Sequence, residues 1–369
     1  MTNLSNDLFQ TEFESINHSA ALDPVKPLLC DRWLALSAMQ KSIRRGDSLT
    51  AKRALTTLYR SDPGSIWRRL LIIACEDVGI AAPGAVVATA SRCANVKALR
   101  ETGKDEAAAL ATAQMLAEVP KDRSADLLFA VVLHDSTLEI MRSKCRSASV
   151  ARRLGFVADP TLSLPERALA VWHASGVESY GEQRVGPGDL DALVRIYAEL
   201  GIPKRLLEAL ATVIKKAREP FALLLPLLWL AAVGTETELL DSPLSPSGLI
   251  NGVPLCALDK HTRLGRQAIG RFAQENAEIA RFLTERGCRS GNDGALRMAV
   301  FYADGALTRP TLQWRHAAEV TAAGVAADFH KVHVAADVGA ELVELVATHI
   351  ADLNAIRSQL LSRVLPPDR

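Results

Sequence analysis

Apolar residues recur at helical spacing along almost the whole chain. From Asp31 onward, Leu and Ala repeat every three or four residues, as one buried face of an α-helix requires. Aromatic residues make up only 5% of the sequence, and Gly or Pro separates most of the apolar segments. The pattern therefore predicts an all-α protein, a multi-helix bundle in which short connections make successive helices antiparallel neighbours.

The helices can be placed from their start and stop residues. Asp47, Ser65 and Pro83 are typical of helix starts, whereas Gly46 and Gly79 are typical of helix ends. The predicted helices cover residues 31–46, 48–61, 63–79, 83–101, 104–119, 123–144, 164–176, 188–201, 204–220, 221–233, 261–287, 294–307 and 337–364.

Changes in composition divide the chain into three parts. Residues 1–30 are polar and lack periodicity, which predicts a flexible N-terminal arm. A compact helical module follows over residues 31–135, and a second helical domain over residues 136–369. A loop rich in Pro, Ser and Gly at 241–254 interrupts the second domain, and no repeat of constant period is present.

Charge and cysteine usage favour a cytoplasmic protein. The 43 basic and 42 acidic residues nearly cancel, so any charged partner must be recognised by a local patch. The six cysteines are scattered without zinc-type spacing, as is usual for reduced thiols. The most apolar run, Phe221–Val233, is 13 residues long and contains Pro226, so we expect a buried helix and no membrane partner.

One short stretch conflicts with local helix chemistry. Glu76 and Asp77 follow the apolar run Leu70–Cys75 and precede Gly79, so they lie at the negative end of the helix dipole. Each misplaced carboxylate costs roughly 0.3–1 kcal/mol unless a partner compensates it. The two acids are therefore either catalytic or paired with basic side chains of neighbouring helices.

The region around these acids resembles a known family. Residues 33–131 are similar, in order and spacing, to the C-terminal, non-ATPase region of the RarA/MgsA family, replication-associated recombination AAA+ proteins related to clamp loaders. The matching elements are Lys41-Ser42-Ile43-Arg44, Gly46-Asp47, Asp62-Pro63, Arg68-Arg69-Leu70, Glu76-Asp77-Val78-Gly79 and Pro83. Later, Pro120-Lys121 matches, but Asp122-Arg123 stands where the family has Ser-Asn.

The resemblance implies an architecture and a process, but no reaction. It implies a clamp-loader-collar-like module that assembles into a homo-oligomer, a tetramer in the family, and that works with DNA or with replication and repair proteins. Arg69, Glu76, Asp77 and Gly79 are then structural residues. No GxxxxGK[ST] motif occurs in the sequence, so we expect no ATPase activity.

Two functions remain open at this point. The first is a non-enzymatic, oligomeric scaffold or adaptor of DNA replication, recombination or repair, with DNA-binding as an added property. The second is a phage-defence or mobile-element component whose C-terminal domain binds a phosphate-bearing ligand or carries an enzymatic site. We expect no cofactor, no metal ion and no catalytic residue that the sequence alone identifies.

A basic cluster is the first candidate for nucleic-acid contact. Between Lys41 and Cys75 there are eight basic residues against two acidic ones. Such residues can neutralise DNA phosphates or pair internally with Glu76 and Asp77, and the two roles can coexist. The candidates for phosphate contact in this cluster are Lys41, Arg44, Arg45 and Arg68.

A second candidate follows the Pro/Gly loop. Cys256–Phe272 places charged residues at a predicted helix start, where free backbone N–H groups favour anions. The anion-binding candidates here are Lys260, His261, Arg263 and Arg266. His261 could also act as a general base held by Asp259, or Asp259 and Thr262 could simply cap the helix.

Two further patterns are weaker. His330, His333 and Asp337 would share one helix face and could ligate a metal, although ordinary surface or partly buried histidines are the more usual explanation of such a pattern. The five tryptophans, including Trp33, lie in apolar helical patterns, which favours core packing over base stacking.

Overall fold

Helices dominate a computed structural model that describes residues 25–178, 185–244, 247–288 and 294–364. The N-terminal helices are α1 (Arg32–Arg44), α2 (Ser48–Ser61), α3 (Ile66–Ile73), α4 (Pro83–Ala94), α5 (Val96–Glu101), α6 (Asp105–Glu118) and α7 (Ser124–His134). The middle helices are α8 (Glu139–Ser147), α9 (Val150–Ala158), α10 (Leu164–Ser175), α11 (Leu190–Glu199), α12 (Lys204–Ala217) and α13 (Leu225–Ala232). The C-terminal helices are α14 (Arg263–Glu275), α15 (Ala277–Glu285), α16 (Gly294–Val300), α17 (Ala317–Lys331), α18 (Ala336–Thr348) and α19 (Ile350–Val364). The predicted all-α fold is confirmed.

The few strands of the described residues are short, and Val253, Leu312 and Trp314 are among their buried side chains. Strand β1 (Thr237–Leu240) pairs antiparallel with β4 (Thr311–Trp314), and β2 (Leu249–Ile250) pairs with β3 (Val253–Pro254). The β2–β3 hairpin lies inside the predicted loop 241–254, of which residues 245 and 246 are outside the described part. Among the described helices, none is both long and apolar enough to cross a bilayer.

Side-chain caps start several helices at the residues that the sequence indicates. The carboxylate of Asp31 accepts hydrogen bonds from the Trp33 and Leu34 amides, and Asp47 accepts one from the Thr50 amide. Ser65 makes no such cap, although α3 begins directly after it. Each of the two caps satisfies amide donors that the first helical turn leaves without partners.

Several predicted helices are interrupted in the structure, among them those over 261–287 and 337–364, which divide at Asn276 and His349. The helix predicted over 83–101 divides at Asn95, and the one over 123–144 divides at Asp135, whose extended backbone and side chain start a 3₁₀ turn. Residues 220–233 form a 3₁₀ turn followed by α13. The apolar period continues through these breaks, which is why spacing alone did not locate them.

Two hydrophobic cores organise the described residues. The first runs from Leu28 to Ala232 and also takes in Val253–Leu258, and the second is built by helices α14–α19. Helix α17 contributes to both, and it packs closely on α7, since a Cβ at Gly324 would lie 2.6 Å from the Cβ of Leu127. The domain boundary at residue 136 stays a prediction, and most of the predicted arm, residues 1–24, lies outside the described part.

Candidate functional site

Asp77 is the centre of a buried charge network. Its side chain is fully buried and accepts hydrogen bonds from Arg44 Nε at 2.6 Å, Gln40 Nε2 at 2.9 Å and Arg123 Nε at 3.2 Å. Arg44 is itself only 2% exposed and also donates to Glu76 Oε1 at 2.7 Å. The two carboxylates that local chemistry disfavours are thus paired with arginines from other helices.

A π-helical turn places both carboxylates at this position. Residues Ala74–Val78 widen the end of α3 by one residue per turn, and Gly79 then reverses the chain with φ 52°. A Cβ at Gly79 would lie 2.6 Å from the carbonyl oxygen of Asp122, and the Asp122 amide donates to the Asp77 carbonyl at 3.0 Å. Only glycine fits this approach, in agreement with a structural role for Gly79.

A second π-helical turn, Phe301–Gly305, repeats the arrangement in the C-terminal half. Asp304 occupies the same fourth position that Asp77 has in its own turn, and it pairs with Arg45 and with Arg357 Nη1, the latter at 2.5 Å. At the end of α1, Arg44 therefore pairs with the acid of the first π turn and Arg45 with that of the second. Arg44 joins the two directly, because its Nη1 donates to the Gly305 carbonyl at 2.7 Å.

The network continues into the segment before α14. Lys41 Nζ lies 2.6 Å from Asp259 Oδ2, and both side chains are almost completely buried. Three cations also surround the Phe301 ring, with Arg44 and Arg123 at 5.5 and 5.2 Å and Lys260 Nζ at 4.1 Å from its centroid. Four basic residues, Lys41, Arg44, Arg45 and Arg123, thus contact the C-terminal half of the chain.

A charged cleft of about 500 Å³ opens beside this network. Its charged lining consists of Arg68, Arg69, Glu76, Asp126, His134, Glu219, His261, Asp328 and Lys331. Burial, together with the nearby charges of Asp77 and Asp126, raises the pKa of Glu76 to about 7. Burial also raises the pKa of Asp126 and lowers that of Lys260 to about 8. Such shifts accompany both structural ion networks and functional sites.

An apolar groove lies at the opposite end of α1, beside the start of α14. It consists of two adjoining hollows of about 510 and 530 Å³ that share Asp31, Leu34 and Leu264, and we call it the Trp33 groove. Trp33 is 62% exposed there, so the expected core position for this tryptophan is wrong. The helical spacing of apolar residues gave this wrong prediction because α1 begins at Arg32, so Trp33 lies in its first turn and faces solvent.

The predicted anion-binding residues fall into two groups. Lys41, Arg44 and Arg45 are turned inward and paired with carboxylates, and Lys260 lies against Phe301. Their charges are therefore engaged inside the protein. Arg68 is half exposed and donates to Glu219 Oε1 at 3.0 Å at the cleft. The exposed members are His261, Arg263 and Arg266, and all three line the Trp33 groove.

Asp259 and Thr262 have the local roles that a helix start suggests. The Thr262 hydroxyl accepts a hydrogen bond from the Gly265 amide at 3.0 Å, and Asp259 accepts one from the His261 amide at 2.9 Å. Asp259 therefore bonds to the backbone of His261, while its other oxygen faces Lys41. No hydrogen bond within the described residues holds the His261 ring as a general base would require.

The helical face expected for His330, His333 and Asp337 does not form. Helix α17 ends at Lys331, His333 has a left-handed backbone with φ 59°, and Asp337 belongs to α18. Across the described ranges, no group of three or more His, Cys, Asp or Glu side chains could hold a metal ion.

Several residues of the network were missed by the sequence analysis. Arg123 stands where the resembling family has Asn, so the departure from the motif was the available signal. No comparable signal marks Asp304 or Arg357, because their partners lie far away in the sequence.

Comparison with known proteins gives a match for one part of the chain. The family model described as the MgsA AAA+ ATPase C terminal matches residues 55–136. The predicted resemblance is therefore confirmed for a region that includes Glu76, Asp77 and Gly79. Neither the comparison with curated proteins nor that with solved structures gives a match. The fold and this match define an all-α protein whose residues 55–136 are similar to the C-terminal region of MgsA AAA+ ATPases.

Proposed function

We propose that this chain is a non-enzymatic, oligomeric scaffold or adaptor of DNA replication, recombination or repair. The observation that supports this most directly is the MgsA-type match at residues 55–136. The carboxylates of that region are held by arginines inside the protein, as expected of a structural platform. The same arginines bond the platform to the C-terminal half, so both halves can be presented to partners as one body.

The Trp33 groove is the surface that suits DNA best. Trp33 is exposed, and Arg60, Arg263 and Arg266 line the two hollows around it. None of these arginines pairs with a carboxylate within the residues described above. An exposed aromatic ring among guanidinium groups that no described carboxylate neutralises can stack on a base while the cations neutralise phosphates, the combination found in single-strand binding surfaces.

Removing this chemistry should weaken binding to single-stranded DNA. We expect Trp33→Ala to lower affinity by about fivefold to 150-fold, since a stacked base contributes roughly 1–3 kcal/mol. The double variant Arg263→Glu/Arg266→Glu should also flatten the dependence of affinity on salt, by about one unit of slope per lost phosphate contact. Fluorescence anisotropy with labelled single-stranded, duplex and forked DNA, over a series of salt concentrations, measures both effects.

The matched control reverses the charge of two exposed arginines that lie outside the groove. Arg281 and Arg315 are exposed and line neither hollow, so Arg281→Glu/Arg315→Glu changes net charge equally. Equal losses in the two double variants would mean that only overall charge matters and that the groove is not the contact.

Assembly is tested by the mass in solution. The family resemblance implies a tetramer, so we expect a mass of several chains at micromolar concentration, measured by size-exclusion chromatography with light scattering. Exposed apolar side chains such as Ile140, Leu239 and Leu249 are suited to such contacts. A monomer that persists at tens of micromolar would remove the assembly part of the proposal.

The charged cleft favours one alternative function. A volume of about 500 Å³ lined by acids, bases and His261 suits a small ligand with phosphate groups or an enzymatic site. Arg68, Arg69 and Lys331 would supply the positive charge for such a ligand. If His261→Ala retains every activity of the unchanged chain, this alternative loses its main support.

A further inference from the structure

The ammonium group of Lys260 forms no salt bridge with any carboxylate of the described residues. Its Nζ atom instead lies 3.1 Å from Met298 Sδ and 4.1 Å from the centroid of the Phe301 ring. The guanidinium groups of Arg44 and Arg123 face the same ring. A neutral amine is therefore less costly here than at a lysine that is held by an acid.

The surrounding charges leave part of this amine neutral at mildly basic pH. Burial lowers the pKa of Lys260 to about 8, and the positive charge of Arg123 acts in the same direction. The carboxylates of Asp328, Asp126 and Asp259 oppose this shift without cancelling it. An unprotonated lysine amine is a nucleophile that attacks carbonyl carbon, and this is how lysines form imines in proteins.

The charged cleft lies beside this amine. Asp328 and Asp126, the two acids that act most strongly on Lys260, both line the cleft, and the following residue, His261, lines it as well. The cleft has a volume of about 500 Å³. Its apolar lining residues are Ile72, Phe129, Ala130, Leu133 and Phe221. A small molecule with an apolar body therefore fits next to a nucleophile.

The cleft also supplies positive charge and a proton donor. Lys331 is exposed at the cleft and forms no salt bridge within the described ranges, and the half-exposed Arg68 lies at the same cleft. Both side chains can face the anionic group of a ligand. Burial and nearby acids raise the pKa of Glu76 to about 7, so its carboxyl group is partly protonated near neutral pH and can donate a proton.

We propose that Lys260 forms a reversible imine with a small aldehyde or ketone that carries an anionic group and occupies the charged cleft. The neutral amine adds to the carbonyl carbon, and a proton passes from nitrogen to oxygen to give a carbinolamine. The hydroxyl then leaves as water with a proton from a carboxyl group such as that of Glu76, and a protonated imine remains. The step needs no oxidant or reductant. It does not depend on the scaffold or DNA-contact roles.

Reductive trapping with the full-length chain tests the imine. The protein is incubated at about pH 8 with glyoxylate or pyridoxal phosphate, which distinguish a carboxylate from a phosphate ligand, and sodium cyanoborohydride fixes each imine for peptide mass spectrometry. We expect Lys260 to be labelled at least tenfold faster than exposed lysines such as Lys97 and Lys204, because about a hundredfold larger fraction of its amine is neutral at that pH. Lys260→Arg should lose this label and keep the circular dichroism spectrum.

Lys121 is a matched control within the same chain. Burial lowers its pKa to about 8 as well, but its fully buried Nζ donates to the carbonyl oxygens of Ala117 and Val119. We therefore expect no label on Lys121. A second variant, Lys331→Met, should slow the labelling of Lys260 by both anionic aldehydes about threefold or more, and leave labelling by acetaldehyde unchanged, since only a cation at the cleft is lost.

The labelling rates decide the proposal even if Lys260→Arg fails to fold, because three kinds of lysine are compared in the unchanged chain. Labelling of Lys260 no faster than that of the exposed lysines overturns the imine. Labelling of Lys121 at the rate of Lys260 overturns the role of the cleft. An equal effect of Lys331→Met on all three aldehydes overturns the anionic ligand. Each of these failures leaves the proposed scaffold function in place.

Discussion

Asp77→Ala should destabilise the protein by about 3–5 kcal/mol, the usual cost of removing one partner from a buried ion pair. The reason is that Arg44 and Arg123 would both remain buried while losing the carboxylate to which their Nε atoms donate. The loss is measured as the change in the free energy of unfolding, from urea curves followed by circular dichroism.

Two further variants separate charge from packing. Asp77→Asn keeps the shape of the side chain but removes its charge, so it should retain only part of the stability. Glu275→Ala breaks the exposed pair with Arg271, and we expect a change within about 0.5 kcal/mol. If Asp77→Ala costs no more than Glu275→Ala, the network does not hold the fold together.

The need of Glu76 and Asp77 for basic partners could be recognised from the sequence, because carboxylates are unfavourable at the end of a helix. Two carboxylates at a helix C-terminus need compensating partners. Arg44 of α1 is such a partner, because its guanidinium pairs with both acids. The helix start at Asp47 is similarly local, since one side chain and one amide three residues later decide it.

The rest of the network could not be predicted, because its pairs are set by tertiary packing. Lys41 and Asp259 are far apart in the sequence, and neither carries a local mark of the other. Asp304 sits in a π turn, a geometry that apolar spacing does not reveal. The exposure of Trp33 is also a tertiary fact, because an apolar residue in a helical pattern is buried only if a neighbour covers it.

Stability should depend on pH through Glu76 in an unusual direction. Burial and the neighbouring acids raise its pKa in the folded protein to about 7, well above the value of an unfolded chain. Between about pH 4.5 and 7 the folded state therefore binds more protons than the unfolded state, so this group lowers stability as pH rises and has no further effect above pH 7. Glu76→Gln cannot bind that proton and should lack this contribution.

The comparison of Glu76→Gln with the unchanged chain isolates this effect. The two proteins should be similarly stable near pH 5, and the variant should become more stable by up to about 3 kcal/mol at pH 8, at about 1.4 kcal/mol per pKa unit. Other groups, such as His134 and Asp126, titrate in both proteins and largely cancel in the difference. If the unchanged chain instead gains stability relative to the variant as pH rises, attraction to Arg44 and Arg123 outweighs burial, and Glu76 is an ordinary ion-pair partner rather than an acid poised near neutral pH.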